Sequence, residues 1–256
     1  PAPMVGEHTE KILGEIERLP QKSSNPNLAS PRPDGQLPLA GIRILDFTRV
    51  FAGPIATLFL GFQGAEVIKV ESEDLEENRA PTQPNFPDFN RNKLGVTINT
   101  RTEQGRELVL KLATRSDAVI ENFSPSVMDR LGLGYSALKE VKPDIVMVAM
   151  PGLGTTGPLK DYRTNGQQIM GAAGLTYLWG NPGSPLDHRI KIAFSDHVAA
   201  VCGSMAIMAG LAHRDRTGEG QFIELSQLDS TAHLLGVPYM DHLINRRTAE
   251  AIGNRS

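Results

Sequence analysis

Asp196 stands directly ahead of the longest apolar stretch of the chain, 197–212, in the segment FSDHVAAVCGSMAIMAGLAHRDRTGEGQFIEL. A carboxylate where a helix begins is held ionised by the helix dipole and by unpaired backbone N–H groups, the state a nucleophilic aspartate needs. The same position has a purely structural use, because Ser195 or Asp196 could cap the helix by accepting a bond from a free N–H. Both readings stay open on the residues alone. A second candidate is the turn TRVFAGP, 48–54, which separates a short apolar run from a helix-forming one. A Rossmann fingerprint there needs three glycines so that backbone can approach a pyrophosphate, and the turn offers only Gly53. Hydride chemistry is therefore disfavoured, although Glu71 sits where a ribose-binding acid would. The six histidines and one cysteine show no metal-ligand spacing, so no metal is expected, and neither a Walker motif nor a Gly-x-Ser-x-Gly elbow occurs.

Net charge of −3 and a pI near 6.1 argue against a broad nucleic-acid surface, so any anion must be held by a local cluster of Lys and Arg. Cys202 alone cannot form an internal disulfide. With no signal-like segment and no apolar run judged long enough to span a bilayer, no membrane partner and a cytoplasmic location are expected.

The elements that must position these residues alternate. Strands are predicted at 42–46, 67–70, 95–98, 118–121, 145–149 and 222–225. Helices are predicted from Pro54 to Gly64, at 102–115, 126–131, 167–174 and 196–213, with a last one reaching Arg246. Such alternation implies an α/β fold, a Rossmann-like parallel sheet with helices on both faces, and ligands bind at the ends of its strands. Gly203 and Gly210 let the apolar helix pack closely. Lys69 and Lys93 read as exposed strand-flanking lysines. Ahead of the domain lie an amphipathic arm (1–19), with Ile12, Leu13 and Ile16 on one side, and a Pro/Ser-rich linker (20–40). The acidic stretch ESEDLEENRAPTQPNFPDF reads as a solvated excursion.

The ordered set LDFTRVFAGP, GAEVIKVE, FNRNKLGVTINT, ENFSPSVMDRLGLGY, GLGTTGP, SDHVAAVCG and HRDRTGEGQFIELS resembles the class III CoA-transferase family, the CaiB/BaiF type that includes formyl-CoA transferase, carnitine CoA-transferases and α-methylacyl-CoA racemases. The resemblance runs over 41–256. It implies the large, CoA-binding domain of a two-domain protein whose chains interlock, with coenzyme A or acyl-CoA as substrate, a carboxylic acid as acceptor, and an interlocked homodimer or fused pseudo-dimer as the assembly. By position in the motifs, Asp196 is similar to the family's nucleophile. Arg49, Val50, Phe51 and Ala52 match the stretch lining the thioester and pantetheine. Arg101, Asn122, Phe123, Arg130 and Leu131 match positions holding the adenine nucleotide. The implied mechanism passes through a mixed acyl-aspartyl anhydride and an aspartyl-CoA thioester, with backbone N–H groups near the turn or a glycine loop stabilising oxyanions.

The chain departs from parts of this pattern. Racemase members carry a His-Asp pair where Asn165 and Gly166 stand here, which disfavours an acyl-CoA racemase or isomerase. Phe51 replaces the glutamine of formyl-CoA transferases, so formyl and oxalyl substrates are not supported. The sequence stops where the small domain would begin, and the arm resembles the tail that usually closes a family member. A tandem fusion or circular permutation accounts for this order. The alternatives to an active transferase are therefore the racemase and a non-catalytic CoA-binding half of a fused protein, including the dimethylsulfoniopropionate CoA-transferase/lyase type.

Overall fold

Six strands pair side by side, every pair parallel, in the order β3-β2-β1-β4-β5-β6. They are β1 (Arg43–Asp46), β2 (Glu66–Glu71), β3 (Leu94–Thr97), β4 (Ala118–Glu121), β5 (Val146–Ala149) and β6 (Phe222–Glu224). The computed structural model describes residues 1–18, 35–72, 85–185 and 192–253. Most of the expected linker, and residues 73–84 of the acidic excursion, lie outside the described residues. Eleven helices accompany the strands among the described residues: α1 (Thr9–Arg18), α2 (Ala52–Phe62), α3 (Asn85–Phe89), α4 (Glu103–Ala113), α5 (Val127–Arg130), α6 (Tyr135–Val141), α7 (Gly166–Ala172), α8 (Leu175–Leu178), α9 (Phe194–Thr217), α10 (Gln227–His233) and α11 (Gly236–Asn245).

The strands are apolar on both faces because both are covered. Ile44, Ile120 and Val146 pack with Ile55 and Leu60 of α2 and with Ala199, Ile207 and Leu211 of α9. Leu45, Val119 and Met147 point the other way, into a layer that includes Val109 and Leu112 of α4 and Leu138 of α6. This is the doubly wound arrangement that the alternation of elements predicts. Gly203 and Gly210 pack as expected: a Cβ would sit 2.6 Å from Met150 Sδ at the first and 2.6 Å from Val146 Cγ1 at the second.

The long helix α9 starts two residues earlier than predicted and runs 24 residues, about 36 Å at 1.5 Å per residue. By length and composition it could cross a bilayer, which the shorter run read from sequence understated, yet half of its most apolar window is buried within the protein. Its C-terminal end is tied down by a fully buried ion pair, Arg214 to Asp117 at 3.0 Å, just ahead of β4. A helix of this length, fixed at that end of the sheet, carries its first turn over the opposite, C-terminal end.

The arm is part of the same body. Ile12 and Ile16 of α1 are buried in the second core layer, and Glu15 bonds Arg43 at 2.9 Å. His8 and Gly95 exchange hydrogen bonds of 3.0 and 3.1 Å, and the Thr97 N–H donates to Thr9 Oγ1, so the arm covers the outer edge of β3. Helices α3, α6 and α8 were not predicted, and the last predicted helix divides into α10 and α11. The reason is local: α6 and α8 follow Gly134 and Gly174, neither of which provides a side-chain cap, so no start signal stands in the sequence.

The expectation of exposed lysines is wrong. Lys69 and Lys93 are 1% and 4% exposed. Lys93 Nζ lies 3.0 Å from Asp46 Oδ2 and also donates to Pro54 O and Asn90 Oδ1, while Lys69 Nζ donates to Thr48 O. Asp46 further accepts from the Thr48 N–H, the Thr48 hydroxyl and the Thr57 hydroxyl. Burial alone would push this carboxyl up, but the two ammonium groups and two hydroxyls hold it down at about 2. Replacing Lys93 by Met strands a buried carboxylate and should cost about 3–5 kcal/mol in urea unfolding, whereas Asp46→Asn combined with Lys93→Met should recover part of the loss. Equal stabilities for the single and double variants would contradict this coupling.

Candidate active site

The strand order reverses between β1 and β4, and the two loops that leave their C-terminal ends diverge to open a crevice. The turn after β1 is fixed from across that gap. Asn122, at the end of β4, accepts the Arg49 N–H on Oδ1 at 2.7 Å and donates from Nδ2 to Arg49 O at 2.8 Å. One side-chain amide thus continues the pairing of the two strands after their ladder has ended. Val50 follows at φ +68, a left-handed conformation that is strained for a β-branched residue, with its side chain turned out to solvent. Phe51 packs on Phe89 of α3 at 4.7 Å between ring centroids. Gly53 must be glycine, since a Cβ there would lie 2.2 Å from Thr48 Cβ.

Asp196 reaches the same crevice from the first turn of α9. Neither it nor Ser195 caps that helix: the cap position is Ala193, with no side-chain bond. Ser195 instead donates its hydroxyl to Gly166 O at 2.9 Å, stitching α9 to the start of α7. Gly166 is bare for a reason, because a Cβ there would come within 1.9 Å of Asp196 Oδ2. Asp196 is 9% exposed, and that burial pushes its carboxyl above the ordinary aspartate value. His197 and the backbone N–H groups of Ala52 and Asp196 pull it down by less. Desolvation outweighs these donors, leaving a carboxylate that is poorly solvated and correspondingly more basic.

A cavity of about 360 Å³ opens onto Asp196, with Val50, Phe51, Asn122 and Phe123 on one wall and Lys160, Tyr162 and Gln227 among the residues of the others. Phe123 continues into a second cavity of about 400 Å³, lined also by Arg49, Arg101 and Leu131, and into a third of about 360 Å³ that reaches Arg130. The three form one crevice along the strand ends. Of the residues singled out in the sequence, all but Ala52 line it. Ala52 is buried at the start of α2, and its backbone N–H favours the charged form of the Asp196 carboxyl. The Arg49 guanidinium lies 5.7 Å from the Phe123 ring centroid. Sequence reading missed Lys160, Tyr162 and Arg163, although a run of charge immediately after the GLGTTGP loop was a signal for them.

Residues 39–256 match the CoA-transferase family III. The chain belongs to that family. A succinyl-CoA:glutarate CoA-transferase of Mus musculus is 36% identical over 230 residues, covering 86% of this chain and 52% of the relative. A formyl-CoA:oxalate CoA-transferase of Escherichia coli is 32% identical over 215 residues, covering 80% and 51% respectively. The crystal structure of a CAIB/BAIF family protein from Brucella suis superposes with a TM-score of 0.79 at 32% identity, over 86% of this chain and 61% of that one. The chain therefore spans about half the length of the curated relatives it matches. The arm, which the fold incorporates, lies outside the stretch that matches the family.

One further carboxyl stands beneath the crevice. Glu121 ends β4, is 8% exposed, and accepts the Phe123 N–H at 2.6 Å. Burial raises it from its ordinary value of 4.5 to about 7; the Phe123 N–H opposes the rise and Asp129 adds to it. Because the folded value is raised, the fold is favoured while the group is protonated. That contribution is whole below about 4.5 and is lost as pH rises through about 7. Glu121→Gln should therefore remove a stability loss on the order of 2–3 kcal/mol between pH 5 and 8, read from urea midpoints across that range. Gly166→Ala should displace Asp196 and cost at least tenfold in any Asp196-dependent rate, with CoA affinity changed far less. Unaltered kinetics in Gly166→Ala would show that the position of Asp196 is not set by this contact.

Proposed function

We propose that this chain is the CoA-binding domain of an acyl-CoA:carboxylate CoA-transferase in which Asp196 is the nucleophile. The observation that carries this reading is a buried, basicity-raised aspartate in the wall of a crevice that begins at the strand-order reversal, with the Ala52 N–H directed at its carboxylate. Its elevated basicity favours attack, since nucleophilicity of like atoms rises with pKa.

The reaction consists of four acyl transfers. An Asp196 oxygen attacks the thioester carbonyl of the donor; the carbon–sulfur bond breaks, CoA leaves as thiolate, and a mixed anhydride remains. The thiolate attacks the Asp196 carbonyl carbon, expelling the donor's carboxylate and leaving an aspartyl-CoA thioester. The acceptor carboxylate attacks that thioester and releases the thiolate again, forming a second anhydride. The thiolate then attacks the acceptor's carbonyl, so that the acceptor departs as its CoA ester and Asp196 is restored. Negative charge gathers on a carbonyl oxygen at each step. The N-terminal end of α2, at Ala52, supplies N–H groups on that side.

Substrates named for the relatives, succinyl-CoA with glutarate and formyl-CoA with oxalate, make a dicarboxylic acid acceptor part of this reading. Lys160, which lines the same cavity as Asp196, offers a cation for the acceptor's second carboxylate. Phe51 speaks against the formyl donor. Racemisation finds no proton-shuttling pair: the Asn165 side chain is engaged in a capping box with Gln168, and Gly166 has no side chain. Exposed apolar side chains on α9 (Val201, Met205) and α11 (Val237, Leu243, Ile244) support pairing with a second such unit, in another chain or in the same one.

In the intact protein carrying this chain, Asp196→Ala and Asp196→Asn should abolish transfer while CoA affinity stays within a few-fold of wild type. Incubation with acyl-CoA should give a covalent adduct on the peptide holding Asp196, detected by mass spectrometry. The acid limb of the wild-type kcat/KM profile should lie above the ordinary aspartate value, because the nucleophile must be ionised. Near-normal turnover in Asp196→Ala would overturn the mechanism.

A further inference from the structure

The cavities share more than Phe123. Arg163 lines the second of them beside Arg101 and the third beside Arg130, so it stands where two arginine-bearing pockets adjoin. It comes from a different element than either: Arg101 lies in the loop after β3 and Arg130 ends α5, whereas Arg163 lies in the segment between β5 and α7. Among the described residues, no ion pair or hydrogen bond engages the guanidinium of Arg163 or of Arg130. Asp161 shares the third pocket and Glu71 the second, which leaves arginines in excess of carboxylates in both. Planar guanidinium groups drawn from three separate segments suit a ligand with several phosphate oxygens set along its length.

The rest of the segment matters as much. Lys160, Tyr162, Thr164, Asn165 and Gly166 all line the cavity that contains Asp196, and Gly166 is the residue in contact with the Asp196 side chain and bonded by Ser195. Arg163 therefore belongs to a short strip of chain of which one part faces the nucleotide end of the crevice and the other faces the reacting end. We propose that Arg163 binds a phosphate of the acyl-CoA substrate, and that this contact holds the strip 160–166 in place around the thioester. This rests on the CoA-transferase reading. It adds a binding residue, and a route by which the nucleotide, remote from the chemistry, positions the wall of the reaction cavity.

The test compares wild type, Arg163→Ala and Arg163→Lys in the intact protein. Calorimetric titration with CoA should show a roughly ten- to hundredfold weaker Kd for Arg163→Ala, the size of a lost charged hydrogen bond, with partial recovery in Arg163→Lys. Turnover of an acyl-pantetheine thioester, which has no phosphate, should be the same in Arg163→Ala as in wild type, while turnover of the matching acyl-CoA falls. Equal thermal midpoints exclude a folding defect at this exposed side chain. Unchanged CoA affinity in Arg163→Ala, in a protein that otherwise binds CoA, overturns the role of Arg163 and leaves the transferase reading intact. A loss of acyl-pantetheine turnover as large as that of acyl-CoA also overturns it, because the defect would not lie in phosphate binding. Wild type that binds no CoA at all removes the reading on which the inference rests.

Discussion

Asp46 is a charge at the end of a strand with no access to water, and the site is built around satisfying it. Its two oxygens take donors from the turn (Thr48), from α2 (Thr57) and from the lysine that opens β3 (Lys93). An ionised carboxylate left without such partners in the interior would cost several kcal/mol, so each donor segment is held to a fixed place. Lys93 also grips Pro54 O and Lys69 grips Thr48 O, so the cations restrain the backbone as well as the charge. The path of the chain over 47–54 follows from this. Val50 tolerates its strained conformation because the chain is fixed on both sides of it, before it by the Asn122 amide on Arg49 and after it by Lys93 on Pro54 O.

On that frame two helix starts are brought face to face. Helix α2 begins at Ala52, immediately after the turn, and α9 begins above it, carried there by its length and by the Arg214–Asp117 pair at its far end. Helix α9 sits this close because Gly203 lies against Met150, where a Cβ would come within 2.6 Å of Sδ, while Ala56 of α2 is at an ordinary 3.6 Å from the same point. Close packing of the two helices is what removes Asp196 from solvent while leaving it on a cavity wall. The electrostatic consequence is a carboxylate less stabilised than one in water, its value raised above that of an ordinary aspartate by burial.

Much of the fold could be read from the chain because its elements are each locally consistent. The apolar runs that became β4 and β5 leave neither face fit for solvent, and the helices between the strands start at strong signals such as Thr102, which caps α4 through the Gly105 N–H. Elements without such signals, α3 and α6 among them, went unread. The site was legible where a motif has a fixed order, at 49–52, 122–123 and 196. It was not legible at 160–163, whose residues converge on the crevice only because Gly152 packs against Thr164 and α10 anchors the loop through Gln227 to Met150 O.

The alternation of elements by itself determined a doubly wound parallel sheet, and the ordered motifs carried the resemblance to the family and, with it, the suspicion that falls on Asp196. Pattern also misjudges two charged groups, Lys69 and Lys93, which read as exposed and are buried, and it gives no sign that burial raises the Asp196 carboxyl. Those errors share one cause. A sequence records which groups can ionise and which neighbours precede and follow them, but the cost of ionisation is set by how much water has been excluded and by which charges arrive from distant segments. Only the packed structure, by bringing β1 to β3 and α9 to α2, decides those quantities.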